Sequence, residues 1–278
     1  MKYVLFNPRS NNNRGKAAAE ELKAKLGECE FQDVTKLNSY KNFFEYLSRD
    51  DKVYLVGGDG TLNYFINEMG GAEILPELYF YAAGTGNDFL NDVSPESKEP
   101  IKINEFLKNL PTVIVKGQAY KFINGVGYGL DGMCCQVGDD LRAKSDKPVN
   151  YTSIAIKQVL YAYKPKKAKV TVDGVTKEYK NVWILPTMKG KFYGGGMKVA
   201  PDQDRNDPEG KVTTVVVHGA LRLKILINFP KIFAGKHTSL PIVDILKGKE
   251  ISVEYDKPTA LQIDGETIRD VLGYTVKA

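Results

Sequence analysis

Cysteine and histidine are scarce in this chain. It contains three cysteines, Cys29, Cys134 and Cys135, and two histidines, His218 and His237. An odd number of cysteines, two of them adjacent, is atypical of a disulfide framework and gives no metal-ligand spacing. Two isolated histidines give little support to histidine-centred catalysis. These shortages favour a reducing compartment and a chemistry carried by other side chains.

Long apolar runs are also missing. No stretch approaches the roughly 20 apolar residues that a membrane-spanning helix needs. The run Lys2–Phe6 resembles a first strand and is too short for a secretory signal, so we expect a cytoplasmic protein. The net charge of +5 is too small to predict nucleic acid as a partner, but it suits an anionic ligand or a membrane surface.

Short apolar runs alternate with helical patterns in the first part of the chain. Strands are predicted at residues 2–6, 30–35, 52–56 and 78–83, and helices at 15–27, 39–49 and 61–69. Such alternation is typical of a parallel sheet with helices on its faces. We therefore predict an α/β domain over residues 1–118.

The pattern changes after about residue 112. Short runs rich in Val, Ile, Tyr and Thr predict strands at 112–116, 119–124, 168–173, 176–185, 211–218, 249–255, 259–263 and 272–277. Turn dipeptides such as Asp173-Gly174 and Asp264-Gly265 separate them, which is typical of an antiparallel β-sandwich. Helices are expected at about 148–163 and within 220–235. We assign this second domain to residues 119–278, and leave open whether its last strand returns to the first domain.

One glycine-rich loop carries most of the chemical information. Residues 56–63 read Val-Gly-Gly-Asp-Gly-Thr-Leu-Asn between a predicted strand and a predicted helix. Its glycines, Gly57, Gly58 and Gly60, allow backbone angles closed to other residues and a close approach of ligand to main chain. Thr61 is expected to cap the helix, whose first amides would face an anion. Asp59 makes sense beside phosphates if magnesium lies between them.

Two further loops also follow predicted strands. One begins Asn7-Pro8-Arg9-Ser10, and the other reads Gly84-Thr-Gly-Asn-Asp-Phe. Because ligands bind at the carboxyl ends of strands in open parallel sheets, all three loops should meet at one edge. There Ser10, Thr61 and Thr85 would supply hydroxyls, and Asp59 and Asp88 the carboxylates for magnesium and phosphate. The loops match neither a P-loop nor a dinucleotide-binding fingerprint.

The order of these motifs resembles the diacylglycerol kinase catalytic-domain family, which includes bacterial lipid kinases and sphingosine kinases. The matching segments, in chain order, are Asn7-Pro8, Gly57-Gly58-Asp59-Gly60-Thr61, Gly84-Thr85-Gly86-Asn87-Asp88-Phe89, Phe122-x-Asn124, Gly194-Gly195-Gly196-Met197, Ala200-Pro201 and Asp264-Gly265-Glu266. The central loop alone would be shared with NAD kinases and 6-phosphofructokinases. The resemblance covers nearly the whole chain.

The resemblance implies an ATP-binding α/β domain of the NAD-kinase and phosphofructokinase type, a β domain that helps to bind lipid, and catalysis between them. It assigns Asp59 to the magnesium that accompanies ATP. The nucleotide-binding set comprises Asn7, Pro8, Ser10, Gly57, Gly58, Asp59, Gly60, Thr61, Thr85, Asn87 and Asp88. Asp264 becomes the general base for the lipid hydroxyl, supported by Glu266. From the residues alone, Asp264-Gly265 is equally well read as a hairpin turn.

The chain departs from the family pattern at two places. Many members carry an acid in the segment that reads Val115-Lys116-Gly117 here, so one member of the magnesium network is missing, and Asp131 is a candidate substitute. After Ala200-Pro201 an inserted acidic loop contains Asp207, which the resemblance links to a structural magnesium. A solvated acidic loop is the alternative interpretation of that segment.

We therefore predict an ATP- and magnesium-dependent lipid kinase that phosphorylates a lipid alcohol such as diacylglycerol. The alternatives are a kinase of a soluble acceptor such as NAD, and a nucleotide-binding sensor without catalysis. The segment from Leu221 to Phe233 mixes large apolar residues with Arg222, Lys224 and Lys231, so it either lies on a membrane surface or packs on the protein's own core. We expect a cytoplasmic, peripherally membrane-associated protein, and leave a homodimer open.

Overall fold

Two sheets organise the chain, one in the unit Met1–Leu110 and the other in the unit Pro111–Ala278. This computed structural model describes residues 1–8, 10, 14–84, 86–144, 149 and 151–278, with the side chain of residue 152 left out. None of the helices within these ranges is long and apolar enough to cross a membrane.

The sheet of the first unit has five strands in the order β2-β1-β3-β4-β5. Their bounds are β1 (Lys2–Phe6), β2 (Glu30–Asp33), β3 (Lys52–Gly57), β4 (Glu77–Ala82) and β5 (Ile101–Lys102). The first four strands are parallel, and β5 pairs antiparallel with β4. This confirms the predicted parallel sheet of an α/β domain.

Helices follow the parallel strands, as the sequence predicted. They are α1 (Gly15–Leu26), α2 (Tyr40–Glu45), α3 (Asp59–Met69) and α4 (Asp88–Val93), with short 3-10 helices at Val34–Lys36 and Asn104–Leu107. The second helix ends at Glu45 and is shorter than the predicted 39–49. The helix α4 was not predicted, because six residues are too few to show a helical period.

The sheet of the second unit is antiparallel throughout its pairings, which confirms the predicted antiparallel β-sandwich class. Its strands are β6 (Thr112–Val115), β7 (Gln118–Lys121), β8 (Gly125–Tyr128), β9 (Lys166–Val172), β10 (Val175–Val182), β11 (Thr187–Met188), β12 (Val212–Val217), β13 (Val243–Gly248), β14 (Glu250–Ile263) and β15 (Glu266–Lys277). The main path runs β13-β12-β11-β8-β14-β15-β6-β7, and β9 joins β14 to β10. The last strand, β15, pairs with β14 and β6.

The strand β14 is continuous where the sequence predicted two strands. Its pairing with β15 shifts register between Glu254 and Thr259, around Pro258. A proline has no N–H for the ladder, so an irregularity is where a strand tolerates it. The sequence analysis therefore interpreted this irregularity within one strand as a break between two strands.

Three helices belong to the second unit: α5 (Leu130–Arg142), α6 (Tyr151–Lys157) and α7 (Arg222–Asn228). A π-helical segment, Gln158–Ala162, follows α6, and a 3-10 helix, Phe229–Ile232, follows α7. The last two helices lie within the predicted helical stretches. The helix α5 was not predicted, since its glycines and acidic residues conceal the apolar period.

Candidate active site

The first two loops of the α/β unit meet at Thr61. The Asn7 side-chain amide donates a hydrogen bond to the Thr61 hydroxyl over 3.1 Å, and the Ser10 hydroxyl lies 3.2 Å from the same oxygen. Pro8 lies in the turn between Asn7 and Ser10. The structure thus brings together residues that follow β1 and β3.

The second and third loops touch through their glycines. A Cβ built on Gly58 would lie 3.2 Å from the Gly84 Cα, and one built on Gly84 would lie 2.8 Å from the Gly58 Cα. The expectation that Gly57, Gly58 and Gly60 serve through unusual backbone angles is wrong, since Gly58 has φ −98° and Gly60 lies within α3. Gly57 and Gly58 are required for close approach instead: a side chain at Gly57 would collide with Thr61, and one at Gly58 would press on Gly84.

Thr61 does not cap the helix that follows β3. The helix α3 begins at Asp59 with Gly58 at the capping position, so Thr61 is the third helical residue. Its hydroxyl is engaged by the first loop instead of by the helix's own amides. The capping prediction was wrong because the helix starts two residues earlier than the pattern indicated.

Asp59 fastens the third loop to the second. Its two carboxylate oxygens accept hydrogen bonds from the backbone amides of Asp88 and Phe89, over 2.9 and 3.0 Å. These amides open α4, where a carboxylate is favoured by unpaired N–H groups and the helix dipole. Asn87, with φ 51°, accepts a hydrogen bond from the Gly84 amide through its side chain at 3.1 Å. Thr85 lies outside the described residues.

The two residues predicted to bind magnesium have different surroundings. No group of three or more His, Cys, Asp or Glu side chains suited to a metal occurs in the part of the chain that the structure describes. Asp207 pairs with the Lys247 ammonium and accepts the Glu209 amide at 2.9 Å. The ion pair with Lys247 lowers the pKa of Asp207. Its role as a magnesium ligand stays a prediction.

In the second unit, Asp264 and Gly265 form the two-residue turn between β14 and β15. Both have positive φ, 47° and 99°, as a type I′ hairpin requires. The dipeptide therefore forms the hairpin turn that its sequence favours, and the catalytic role of Asp264 stays a prediction. The buried Asp264 carboxylate also accepts three backbone hydrogen bonds, from Ile123, Asn124 and Gly125, at 2.7 to 2.9 Å.

Asn124, the asparagine of the Phe-x-Asn motif, joins three segments. Its amide donates to Asp264, its carbonyl accepts the amides of Lys189 and Gly190 at 2.9 and 3.0 Å, and its side-chain oxygen accepts from Arg205 at 3.1 Å. The Arg205 guanidinium also donates to the Ile123 carbonyl. One buried residue therefore fixes the positions of a carboxylate and two cationic residues.

Lys189 and Arg205 were not singled out from the sequence. Both are buried, with relative exposures of 9% and 7%. Desolvation, and next the positive charge of Arg205, lower the pKa of the Lys189 ammonium. The only sequence signal was a lysine before Gly190 and an arginine inside the acidic insertion, both of which look like surface residues.

Glu266, two residues after Asp264, is exposed at the start of β15. Partial desolvation, followed by the negative charge of Asp139, raises the pKa of its carboxyl above 4.5. A carboxylate with a raised pKa accepts a proton more readily near neutral pH. Of the two predicted catalytic carboxylates, Glu266 is thus the accessible one.

Asp131, the candidate substitute for the missing acid, is buried in the first turn of α5. Neither of its oxygens makes a hydrogen bond of normal geometry to any residue within the described ranges, and burial raises the pKa of this carboxyl to about 6. A side chain at Gly127 would collide with its carboxylate and would lie 2.5 Å from the Gln262 Nε2. Gln262 in turn accepts the Gly265 amide at 2.7 Å. Asp131 therefore lies near the Asp264 turn.

Comparisons with known proteins assign both units. Residues 2–119 match the diacylglycerol kinase catalytic domain, and residues 124–275 match the YegS C-terminal NAD kinase beta sandwich-like domain. A diacylglycerol kinase of Mycobacterium tuberculosis is 24% identical, over 73% of this chain and 67% of its own length. A diacylglycerol kinase of Bacillus subtilis is 21% identical, over 95% and 88%. The crystal structure of a diacylglycerol kinase from Bacillus anthracis superimposes with a TM-score of 0.69 at 18% identity, covering 100% of this chain and 94% of that chain.

Proposed function

The chain belongs to the diacylglycerol kinase catalytic-domain family, whose enzymes phosphorylate an alcohol, and on that premise we propose that it is an ATP- and magnesium-dependent lipid kinase. It would transfer the γ-phosphoryl group to the hydroxyl of a lipid alcohol, with diacylglycerol as the first acceptor to test. The observation that carries the proposal is the convergence of three motif loops on Thr61, Gly58 and Asp59.

On the donor side, the loops offer what a triphosphate needs. Gly58 and Gly84 carry no side chain that would shield the main chain from phosphate oxygens, and the nearby hydroxyls and amides are hydrogen-bond donors. Magnesium in nucleotide sites binds one or two carboxylates together with phosphates and water. Asp59 and Asp88 would supply these carboxylates, which agrees with the small number of acidic side chains there. The bound ion would neutralise charge on the transferred phosphoryl group.

On the acceptor side, the hydrogen bonds favour a division of roles between the two carboxylates of the last hairpin. Three amides already bind the Asp264 carboxylate, which suits it to hold the turn. Glu266 is exposed, and its raised pKa suits a proton acceptor. We assign proton acceptance to Glu266 and positioning to Asp264, the reverse of the roles that the resemblance implied.

Two substitutions test this assignment. Glu266→Gln should lower kcat by at least about 100-fold, as expected for loss of a general base, while leaving thermal stability and ATP affinity near wild type. Asp264→Asn should lower stability as well as activity. The assignment is wrong if Glu266→Gln keeps wild-type turnover, or if Asp264→Asn abolishes transfer in a chain of unchanged stability.

The acceptor class is tested with labelled ATP and magnesium. The chain is incubated separately with a total lipid extract, with dioctanoylglycerol and with NAD, and the labelled product is identified. Label in a lipid supports the proposal. Label in NAD alone identifies a kinase of a soluble acceptor, and ATP binding without any labelled product identifies a sensor.

A lipid acceptor implies contact with a membrane, and one surface suits it. We define the apolar-basic face as the outward side of the π-helical segment after α6 and of α7. Its exposed apolar residues are Leu160, Tyr161, Leu221, Leu223, Ile227 and Phe233. The Arg222 guanidinium donates to the Val159 carbonyl at 2.5 Å and joins the two elements. Only Ile225 of α7 is buried, so most of this helix does not pack on the core.

Charge on the apolar-basic face matches an anionic bilayer. Residues 149–172 and 219–243 contain no Asp or Glu, although they carry Lys157, Lys164, Lys166, Lys167, Lys169, Arg222, Lys224, Lys231 and Lys236. Exposed apolar side chains in segments that carry cations and no acids are typical of an interfacial membrane-binding surface. We propose that this face rests on anionic lipid.

Vesicle sedimentation tests the proposed face. Wild type should bind phosphatidylglycerol vesicles more strongly than phosphatidylcholine vesicles, and Leu223→Ser combined with Ile227→Ser should abolish the difference. Val175→Ser is the control, because Val175 is 74% exposed and Leu223 is 68% exposed. Unchanged binding of the double variant, or a monomer–dimer shift in place of vesicle binding, would contradict the proposal.

A further inference from the structure

Lys189 and Arg205 place two positive charges in the interior of the β unit, close enough for the charge of Arg205 to lower the pKa of Lys189. Burial removes hydration from both, and like charges repel, so such a pair is costly unless negative charge balances it. The effect is visible in the lowered pKa of Lys189, where Asp207 and Asp204 oppose the shift without cancelling it. Apolar residues at these two positions would fill the same space without the desolvation cost of two buried charges.

The backbone around Lys189 is fixed. The amides of Lys189 and Gly190 both donate to the Asn124 carbonyl, and Arg205 is held by Asn124 and by the Ile123 carbonyl. Both cationic residues therefore hydrogen-bond to Asn124, whose backbone amide also donates to the Asp264 carboxylate. Their contacts with Asn124 therefore lie close to the Asp264 turn, which Glu266 follows.

The Lys189 ammonium differs from its neighbours because it has no hydrogen-bond or ion-pair partner among the described residues. Arg205, Asp207 and Asp264 are each hydrogen-bonded, but no hydrogen bond or ion pair links the Lys189 ammonium to a residue within the ranges that the structure describes. Lysine acts as a point charge on phosphate groups, with three donors on one nitrogen. An anion is the partner that would compensate this buried cation.

We propose that Lys189, backed by Arg205 and held by Asn124, is a phosphate-binding residue beside the Asp264–Glu266 turn. The site takes a phosphate monoester or the terminal phosphoryl group of a nucleotide. This inference rests on the proposed kinase function for its ligand class and adds a residue that the family resemblance did not assign. Lys189 would hold the phosphoryl group at the acceptor side, where negative charge must be stabilised as the group is transferred.

Equilibrium binding tests the site without turnover. Three probes are titrated by calorimetry: inorganic phosphate, a soluble dihexanoyl phosphatidate, and ATP with magnesium. Lys189→Met should weaken at least one of them by about tenfold or more, as expected for loss of a charge-assisted contact. Lys189→Arg should restore binding to within about threefold. Lys257→Met, at an exposed lysine of the same unit, should change nothing.

The pattern across probes identifies the source of the phosphate. Weaker phosphatidate binding with unchanged ATP binding assigns the site to the phosphorylated product, and the opposite pattern assigns it to the nucleotide. Equal affinities of wild type and Lys189→Met for all three probes would overturn the inference. Because inorganic phosphate needs no kinase activity, its result separates this inference from the proposed function.

A measurement on the native chain covers the case in which Lys189→Met does not fold. In protein labelled with carbon-13 at the lysine Cε positions, the Lys189 resonance should shift on adding phosphate, and it should saturate with the calorimetric affinity. No shift of this resonance at saturating phosphate would overturn the inference independently of any substitution.

Discussion

The second unit contains two Asp-Gly hairpin turns that are nearly identical locally and very different in their surroundings. Asp173-Gly174 joins β9 to β10, and Asp264-Gly265 joins β14 to β15; both aspartates have φ 47°, and the glycines have φ 85° and 99°. Both carboxylates accept backbone amides from another segment. Asp173 binds those of Lys249 and Glu250, at 2.9 and 2.8 Å.

The two aspartates differ in their burial and in the backbone segments whose amides they bind. Asp173 is exposed, and its two amides belong to Lys249 and Glu250, where β14 begins, so water can replace its carboxylate. Asp264 is buried, and its three amides belong to the segment that also positions Lys189 and Arg205. Asp173-Gly174 thus connects two strands, whereas Asp264-Gly265 connects two strands and also positions the residues of the candidate site. A turn motif alone does not distinguish these two uses.

The largest expected effect comes from removing the buried carboxylate. Asp264→Ala leaves three buried amides without an acceptor, at about 1–3 kcal/mol each, so we expect a loss of about 3–9 kcal/mol in the free energy of unfolding. Asp173→Ala, the matched control, should cost far less because water reaches its amides. Urea denaturation of both variants, followed by tryptophan fluorescence, measures the difference. Equal losses would remove the distinction between the two turns.

A third carboxylate sharpens the comparison, because Asp131 is as buried as Asp264 but lacks its amide donors. Burial raises the pKa of Asp131 from 3.8 to about 6, so the folded chain binds this proton more tightly than the unfolded chain. The protonated Asp131 carboxyl therefore contributes its full stabilisation of the folded chain below pH 3.8, and this contribution is lost as the pH rises through about 6. Asp131→Asn should therefore gain about 3 kcal/mol relative to wild type between pH 4 and pH 8.

Denaturation of Asp131→Asn and wild type at a series of pH values tests this. A pH-independent difference between the two chains would mean that Asp131 is already compensated in the native protein. Asp264→Asn measured in the same series separates the effect of burial from the effect of amide hydrogen bonds.

The smallest expected effect concerns the two turn glycines. Gly174→Ala and Gly265→Ala each place a Cβ at positive φ, and no heavy atom lies within 4 Å of either position among the described residues. Strain alone should then cost about 1–2 kcal/mol in each variant. Melting temperatures should fall by similar amounts, and only Gly265→Ala should also alter phosphate binding. Unequal melting temperatures would show that the turns differ in backbone geometry as well.

Much of the fold could be predicted because its patterns are local. The parallel strands of the first unit and the helix α1 follow from apolar periodicity and good helix formers. The strand β8 could not be predicted, since Gly125 and Gly127 remove the usual strand residues. Gly127 is needed because the Asp131 carboxylate occupies the space of its side chain. The sequence does not show this contact between Gly127 and Asp131, so the strand could not be predicted from it.

The part of the candidate site that could be predicted consists of residues in recognisable motifs. The meeting of the three loops followed from the rule that ligands gather at the carboxyl ends of parallel strands. The hydrogen bonds of Asp59 and Asp264 did not follow, because a sequence does not show which amides a carboxylate will accept. Lys189 and Arg205 were missed because a sequence shows neither their burial nor their hydrogen bonds to Asn124, which is distant along the chain.

Asn124 also sets the order in which the β unit can be completed. Its partners Arg205 and Asp264 lie 81 and 140 residues further along the chain. Contacts between segments so far apart form late, after loop-closure entropy has been overcome. A ribosome-bound chain that ends before the last hairpin therefore lacks the Asp264 carboxylate that binds the amides of Ile123, Asn124 and Gly125.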